Sequence, residues 1–229
     1  MKKLSIVAVC VLFLSNIVFA QPTTAPKTSA NDPKAKILLD KVKKLYESYK
    51  GLETNFELSF KQAEQKKDDV QKGKLYQQGD KYRAEVGKQL FISDGQTIWQ
   101  KLDNTVIIKK ASSTSSTSPE LLSPRDLIKI YESKDYTYAI QDETAEGWSK
   151  KATIIIFKPN NRRNEFTQIR IAIDQKTNQV VSLTAFGRDQ SRMKLSMDAP
   201  IVNKTYPITY FTFDKTKYPN IQVEDMREN

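Results

Sequence analysis

The sequence predicts a mainly β protein, built on a strongly curved antiparallel sheet or unclosed β-barrel of about 11–12 strands. Three observations predict it: many short segments alternate apolar and polar residues, turn-forming residues separate them, and only two segments have helical periodicity. Short gaps favour antiparallel neighbours. A flat sheet of that size tends to curl, split or close, and two short helices cannot cover both faces. We therefore expect an N-terminal helix and a short central helix on the concave face.

The first 20 residues have the pattern of a secretory signal peptide. Lys2 and Lys3 precede an apolar run over residues 4–19, which closes with Val18-Phe19-Ala20. Two alternatives stay open, an uncleaved N-terminal anchor and lipidation at Cys10. Cys10 lies inside the apolar run and lacks a small residue before it, which disfavours lipidation. We expect residues 1–20 to be cleaved and the mature protein to reside in the periplasm.

The composition lowers the expectation of an enzyme. The chain has 229 residues, no histidine and one cysteine, Cys10, which leaves with the signal peptide. Histidine is the commonest general base and metal ligand, and the G-x-S-x-G, Walker and H-E-x-x-H motifs do not occur. We expect no enzymatic activity, no cofactor and no metal. Loss of Lys2 and Lys3 lowers the formal charge from +10 to +8. The lysines are scattered among Asp and Glu, which is typical of a solvated surface; if the charge has a partner, an anionic membrane surface or an acidic protein patch is favoured over nucleic acid.

Residues 21–32 are rich in Pro, Thr and Ser and predict a flexible leader. The domain is expected to span residues 33–229. Its first element is a helix over residues 33–50, with Asn31 or Asp32 as cap, Pro33 in the first turn and Gly51 as stop. The apolar face of this helix is predicted by spacing, and its members are Leu38, Val42, Leu45 and Tyr49.

Strand patterns follow the helix. Phe56, Leu58 and Phe60 alternate with polar residues, which sends them to one face. The further strands are predicted over residues 71–78, 81–86, 89–93, 96–102, 104–110, 135–141, 151–158, 165–174, 179–187, 190–197 and 207–213. A Ser/Thr-rich loop at 112–118 precedes a short central helix at 124–131, capped by Ser123 and carrying an apolar face.

Large apolar residues of the predicted strands are candidates to line the hollow of the curved sheet. For each one, ordinary core packing is the alternative, and periodicity alone cannot choose between core and cavity. The candidate cavity residues are Phe56, Leu58, Phe60, Leu75, Tyr82, Phe91, Trp99, Leu183 and Phe186. The candidate lid residues on the two helices are Leu127, Ile130, Tyr131, Val42, Leu45 and Tyr49.

Several segments together resemble the LolA family of outer-membrane lipoprotein carriers, in its divergent branch. The most specific is the hairpin Phe91-Ile92-Ser93-Asp94-Gly95-Gln96-Thr97-Ile98-Trp99. The others are Gly73-Lys74-Leu75-Tyr76 followed by Tyr82-Arg83, Leu122-Ser123-Pro124 with Ile130-Tyr131, Phe211-Thr212-Phe213, and Val223-Glu224-Asp225-Met226-Arg227. They occur in order from about residue 34 to the C-terminus. Each segment is weakly specific alone, but their order and spacing are hard to obtain by chance.

The resemblance implies an unclosed barrel with a helical lid and an apolar cavity for lipoprotein acyl chains. It implies a periplasmic chaperone that takes lipoproteins from an inner-membrane lipoprotein-release transporter to an outer-membrane acceptor, as a monomer. The better-known branch has Arg-Pro after its G-x-L-aromatic strand, and that Arg ties the lid shut. Here the stretch is Gln77-Gln78-Gly79-Asp80, so lid locking must differ or be absent.

Two other classes remain open from the sequence. The same fold could serve as a lipid- or protein-binding sensor or interaction module of the envelope. It could also be a structural β protein whose hollow is filled by its own side chains.

Overall fold

Thirteen strands form one open sheet in the computed structural model, which describes residues 31–111, 130–142 and 151–227. The predicted fold class is therefore confirmed. The strands are β1 (Leu52–Lys61), β2 (Asp69–Gln78), β3 (Lys81–Val86), β4 (Gln89–Ser93), β5 (Thr97–Leu102), β6 (Thr105–Lys110), β7 (Tyr136–Asp142), β8 (Ala152–Pro159), β9 (Phe166–Asp174), β10 (Val180–Gly187), β11 (Arg192–Met197), β12 (Ile201–Val202) and β13 (Gln222–Asp225).

The sheet is continuous from one edge strand to the other. Its order is β13-β6-β5-β4-β3-β2-β1-β11-β10-β9-β8-β7, and β12 pairs with β1 beside this path. Strand pairs are antiparallel except β13 with β6, which is parallel. The chain thus builds one half of the sheet with β1–β6, builds the other with β7–β11, and joins the halves where β1 meets β11.

The helix α1 (Pro33–Ser48) lies against one face of this sheet. Asp32 caps it by accepting a hydrogen bond from the Lys34 amide at 2.8 Å, and Pro33 occupies the first turn, as expected. Its buried stripe is Ala35, Leu39, Val42 and Tyr46. The predicted stripe shared only Val42 with it, because the doublets Leu38-Leu39 and Leu45-Tyr46 allow two neighbouring stripes.

Only the end of the predicted central helix falls within the described residues. Residues 130–132 are helical, and Ile130 and Tyr131 are buried in the main apolar cluster together with α1. The rest of that helix, including Leu127, lies outside the described residues, as do the predicted signal peptide and most of the leader.

The two faces of the sheet follow from strand register. We call the face that packs against α1 the inner face and the opposite one the outer face. Leu75 pairs with Ala84, which pairs with Phe91, and all three belong to the cluster that contains α1. At Gly73, a Cβ would overlap the Phe56 ring and the Glu85 carbonyl oxygen, so glycine lets this ring lie flat on the inner face.

The hairpin motif at residues 93–97 is a turn. The Asp94 carboxylate accepts hydrogen bonds from the amides of Gln96 (2.8 Å) and Thr97 (2.7 Å), and Ser93 Oγ accepts one from Gly95 N at 3.1 Å. Gly95 has a φ of +95°, a value that other residues rarely adopt. The S-D-G-x-T pattern is therefore explained by turn geometry.

The C-terminal region departs from the predicted strand at 207–213. It forms a 3₁₀ helix (Ile208–Phe211), because Pro207 begins a tight turn in which its carbonyl accepts from the Tyr210 amide at 2.9 Å. Phe211 then packs under the segment with no exposed surface. A second 3₁₀ helix (Lys215–Lys217) follows, and β13 completes the sheet.

Candidate functional site

An apolar surface runs across the inner face of both halves of the sheet. It consists of side chains that alternate along each strand and are buried in one cluster with the apolar stripe of α1. Its fully or almost fully buried members include Phe56, Leu75, Phe91, Tyr138, Ile155, Phe157, Ile169, Ile171, Ile173, Leu183 and Leu195. In this structure the hollow of the sheet is occupied by the apolar stripe of α1 and by Ile130 and Tyr131.

The structure brings most of the predicted cavity residues to this face. Phe56, Leu75, Phe91 and Leu183 are buried in the main cluster. Leu58 and Tyr82 are half-buried against it. Phe60 follows Leu58 on the same face but is 39% exposed near the end of β1.

Trp99 and Phe186 lie on the outer face, which corrects their assignment to the interior. Trp99 pairs with Ile92, which points away from the face that carries Phe91. Phe186 follows the inward-facing Ala185, and its ring lies 4.8 Å from the Arg170 guanidinium carbon. Leu183 and Phe186 are three residues apart, so a regular strand sends them to opposite faces.

Sequence reasoning missed the inner-face residues of β7–β9. Tyr136, Tyr138, Ile155 and Phe157 lie deep in the cluster, although only their strands were predicted. The run Ile154-Ile155-Ile156 is apolar on both faces, so alternation could not select its inward member. The alternation of Tyr136 and Tyr138 with polar residues was a usable signal.

The cover of the inner face is α1 together with residues 130–132, and we call it the inner cover. The N-terminal end of α1 is fixed to the edge strand β7. Asp32 donates its amide to the Tyr138 carbonyl at 2.9 Å and accepts from the Ile140 amide at 3.2 Å. Burial raises the pKa of Asp32, but backbone amides led by that of Ile140 outweigh burial and lower it overall.

The C-terminal end of α1 is fixed to the start of β10. Tyr46 is buried, and its hydroxyl accepts a hydrogen bond from the Val180 amide at 3.1 Å. Burial raises the pKa of Tyr46, so this hydroxyl stays neutral. Tyr49 is half-buried beside it and accepts a 3.5 Å hydrogen bond from the Gln179 side chain. Leu45 is also half-buried at the border of the cover.

A polar seam joins α1 to residues 131–132. The Tyr131 hydroxyl donates to Asp40 Oδ1 at 2.9 Å, Lys36 pairs with Asp40 at 2.8 Å, and Lys43 pairs with Glu132. The hydrogen bonds from Lys36 and Tyr131 lower the pKa of Asp40, and burial followed by the Asp40 contact raises the pKa of Tyr131. An open groove of about 570 Å³ follows this seam.

The outer face has a cover of its own, residues 203–221, which we call the outer cover. The rings of Tyr206 and Tyr210 stack at 5.0 Å and contact the Tyr76 ring of β2 at 5.4 and 5.1 Å. Phe211 and Ile221 are buried beneath this cover, separate from the main cluster.

A buried carboxylate ties the outer cover to the sheet. Glu53 of β1 is 5% exposed, and its oxygens accept from Lys74 (2.5 Å), Lys204 (2.7 Å) and the Tyr206 hydroxyl. These three partners, with Lys204 the strongest, lower the pKa of Glu53 to about 2. The carboxylate is thus satisfied by the cover and by the neighbouring strand.

The described residues contain neither a cluster of metal ligands nor a helix that could span a membrane. Among residues 31–111, 130–142 and 151–227, no three acidic side chains come together as a metal site. Within the same ranges, no helix has the length and apolar character needed to cross a membrane.

Comparison with known proteins gives a family match. The model of the family described as outer membrane lipoprotein carrier protein LolA matches residues 47–214, most of the described chain. No curated protein matches the sequence.

The similar solved structures are distant in sequence, and the first of them shares the fold. An uncharacterized conserved protein from Thermus thermophilus has 10% identity and a TM-score of 0.55, covering 84% of this chain and 99% of that one. A LolA superfamily protein from Nitrosomonas europaea has 9% identity and a TM-score of 0.42, with 78% and 97% covered. The lipoprotein LppX from Mycobacterium tuberculosis has 11% identity and a TM-score of 0.45, with 78% and 100% covered.

Proposed function

The chain belongs to the LolA family of outer membrane lipoprotein carrier proteins, and from this premise we propose that it binds lipoprotein acyl chains on its inner face and carries them from the inner to the outer membrane. In this proposal, residues 1–20 are a cleaved signal peptide and residues 33–229 form a single carrier domain in the periplasm. An inner-membrane lipoprotein-release transporter loads it and an outer-membrane acceptor unloads it. It acts as a monomeric chaperone, without catalysis.

The observation that carries the proposal is the apolar inner face under a helical cover. Side chains from β1–β4 and β7–β11 make this face continuous across the middle of the sheet, where β1 meets β11. α1 is joined to the sheet by side chains and by the Asp32 amide at its N-terminal end, and it pairs with no described strand. It can therefore separate from the sheet without breaking the hydrogen bonds between strands.

The energetics require such a cover. Burying a methylene group contributes about 0.8 kcal/mol, so a chain of about sixteen carbons could gain about 12 kcal/mol. Release would then be too slow for a carrier. If the acyl chain takes the space now filled by Leu39, Val42 and Tyr46, uncovering these side chains offsets part of the gain.

The polar seam between α1 and residues 131–132 is the proposed lock of the inner cover. The family's locking arginine is missing at Gln77-Gln78-Gly79-Asp80. Asp40, Tyr131, Lys43 and Glu132 provide another connection between the two parts of the cover. In this proposal Val42, Ile130 and Tyr131 are the apolar contacts that the opening cover withdraws, and Leu45, Tyr49 and Leu127 belong to the same cover.

The test compares two single variants, which place a carboxylate on opposite faces of two adjacent strands. Leu58→Glu puts a carboxylate on the inner face of β1, whereas Val70→Glu puts one on the exposed outer side of β2. We expect protein purified from the periplasm to carry acyl species, which native mass spectrometry and solvent extraction detect. Leu58→Glu should abolish this load because a buried charge is costly, and Val70→Glu should retain it.

Circular dichroism and a thermal melt establish that both variants are folded. Equal acyl loads in the two variants would contradict an inner-face site. A wild-type protein that carries no acyl species but co-purifies with an envelope protein would instead favour the sensor or interaction module.

A further inference from the structure

The outward side of α1 carries a basic stripe. Lys34, Ile37, Lys41 and Lys44 follow at steps of three, four and three residues, so they lie on one side of the helix, opposite the buried stripe. All four are exposed, and the apolar Ile37 in their midst is 58% exposed. We call these four residues the outer stripe of α1.

The charge of the outer stripe is only partly compensated, since Lys34 attracts the Asp32 carboxylate and Lys44 attracts that of Asp40. The other two lysines of α1, Lys36 and Lys43, are engaged by Asp40, Glu47 and Glu132 at the polar seam. In the part of the chain that the structure describes, none of the stripe lysines forms an ion pair. The stripe therefore presents three exposed positive charges, outside close ion pairs with the described residues, around one apolar side chain.

A turn near the C-terminal end of α1 carries a further exposed lysine. The turn over residues 174–179 lies beside the C-terminal end of α1, since Gln179 bonds to Tyr49 and Val180 bonds to Tyr46. Lys176 is exposed in this turn. Lysines spread over a convex helix surface suit a diffuse anionic surface, because an ammonium group is a compact, hydrated point charge. A specific protein site would be expected to carry aromatic or arginine anchors instead.

We propose that the outer stripe of α1 docks the protein on an anionic phospholipid surface. The apolar side of α1 is buried against the sheet, so docking depends on the attraction of clustered lysines to such a surface, to which the exposed Ile37 adds a shallow insertion. Because the same helix covers the inner face, docking brings the cover next to the membrane that supplies or receives the acyl chain. This last consequence rests on the proposed function, whereas docking itself does not.

Flotation with vesicles tests the docking without any cargo. The wild-type protein should float with vesicles of phosphatidylglycerol and phosphatidylcholine in equal parts, stay unbound with phosphatidylcholine alone, and dissociate in high salt because of screening. Each lysine near an anionic surface contributes about fivefold to binding. The variant Lys34→Gln/Lys41→Gln/Lys44→Gln should therefore bind on the order of a hundredfold more weakly.

The matched control removes three charges elsewhere. Lys66, Lys67 and Lys88 are exposed in hairpin turns of the sheet, so Lys66→Gln/Lys67→Gln/Lys88→Gln gives the same net charge and should bind like the wild type. Ile37→Ser should give a smaller loss than the triple variant. Circular dichroism checks the helix, and if the triple variant is unfolded, Lys41→Gln alone should still show its fivefold loss.

Three results would overturn the docking proposal. They are the absence of wild-type flotation with the anionic vesicles, equal losses in the stripe and control variants, and wild-type retention only on an immobilised acidic polypeptide. The last would reassign the stripe to an acidic protein. Acyl loading is measured separately, so loss of docking with normal loading leaves the proposed function standing.

Discussion

The inner cover and the outer cover both bury apolar residues of the same sheet, but different contacts attach them. The inner cover is joined at its seam by side chains of Asp40, Lys43 and Glu132, all of which reach solvent. The outer cover is joined by Glu53, a nearly buried carboxylate, and by Phe211, which has no exposed surface.

Both covers also bury apolar side chains, so we expect this difference in polar contacts to decide which cover moves. Exposed ion pairs contribute about 0–1 kcal/mol each, so the polar seam opens at little cost. Removing a partner from a buried charge network costs several times more, because the remaining charge stays desolvated. We therefore expect the outer cover to unfold together with the sheet, while the inner cover separates locally.

The largest expected effect is that of Phe211→Ala on the outer cover. Truncating a fully buried phenylalanine leaves a cavity and costs about 3–5 kcal/mol of unfolding free energy. Denaturant unfolding followed by tryptophan fluorescence measures it. Ile208→Ala in the same 3₁₀ helix is the control, because Ile208 is 66% exposed and its truncation should cost about 0.5 kcal/mol or less. Similar midpoints for the two variants would show that the outer cover is separate from the cooperative unit.

The next effect is that of Glu53→Gln, and it depends on pH. The folded-state pKa of Glu53, about 2, lies below its ordinary value of 4.5, so the ionised carboxylate stabilises the fold above that ordinary value. This contribution is lost as the pH falls from about 4.5 towards 2. Near neutral pH we expect a loss of about 2 kcal/mol, moderated because Lys74 and Lys204 reach solvent.

Thermal melts of wild type and Glu53→Gln across this pH range give the comparison. The difference between the two should shrink as the pH falls through the window. Glu57→Gln is the control, since Glu57 lies on the same strand and face but is exposed. A pH-independent difference would mean that Glu53 acts through packing rather than through its charge.

The outer cover was the part of the fold that alternation predicted least well. Phe211-Thr212-Phe213 alternates like a strand, yet Pro207 and the stacking of Tyr206 on Tyr210 turn the chain into a 3₁₀ helix. Its contacts with Glu53 and Tyr76 join residues more than 120 positions apart. Such contacts leave no local signal in the sequence.

The inner face was predicted better because it depends on strand alternation. Phe56, Leu75 and Phe91 follow directly from their positions between polar neighbours and turns. Where apolar residues are adjacent, as at Ile98-Trp99 and Ala185-Phe186, the sequence does not decide which one faces inward. A bulge between Val180 and Ser182 further shifts the alternation of β10.

The smallest expected effect tests the inner cover, through Tyr131→Phe. This variant keeps the ring against Tyr138 but removes the hydrogen bond to Asp40, at a cost of about 1 kcal/mol. The bond joins only the two parts of the cover, so its loss should lower the free energy of local opening. The population of the open state should then rise about fivefold. Hydrogen exchange of peptides from 33–48 should accelerate, while peptides from 205–213 should exchange as in the wild type.

The control for this variant is Tyr136→Phe. The Tyr136 hydroxyl accepts a hydrogen bond from Asn164 at 3.2 Å, within the sheet half and away from the seam. Loss of this hydrogen bond should lower the global stability slightly, without accelerating hydrogen exchange selectively in α1. If Tyr131→Phe also changes exchange in both covers equally, then the two covers open in one event, and the polar seam does not act as a separate lock. If exchange accelerates only in α1, the hydrogen bond between Tyr131 and Asp40 is the contact that replaces the family's arginine.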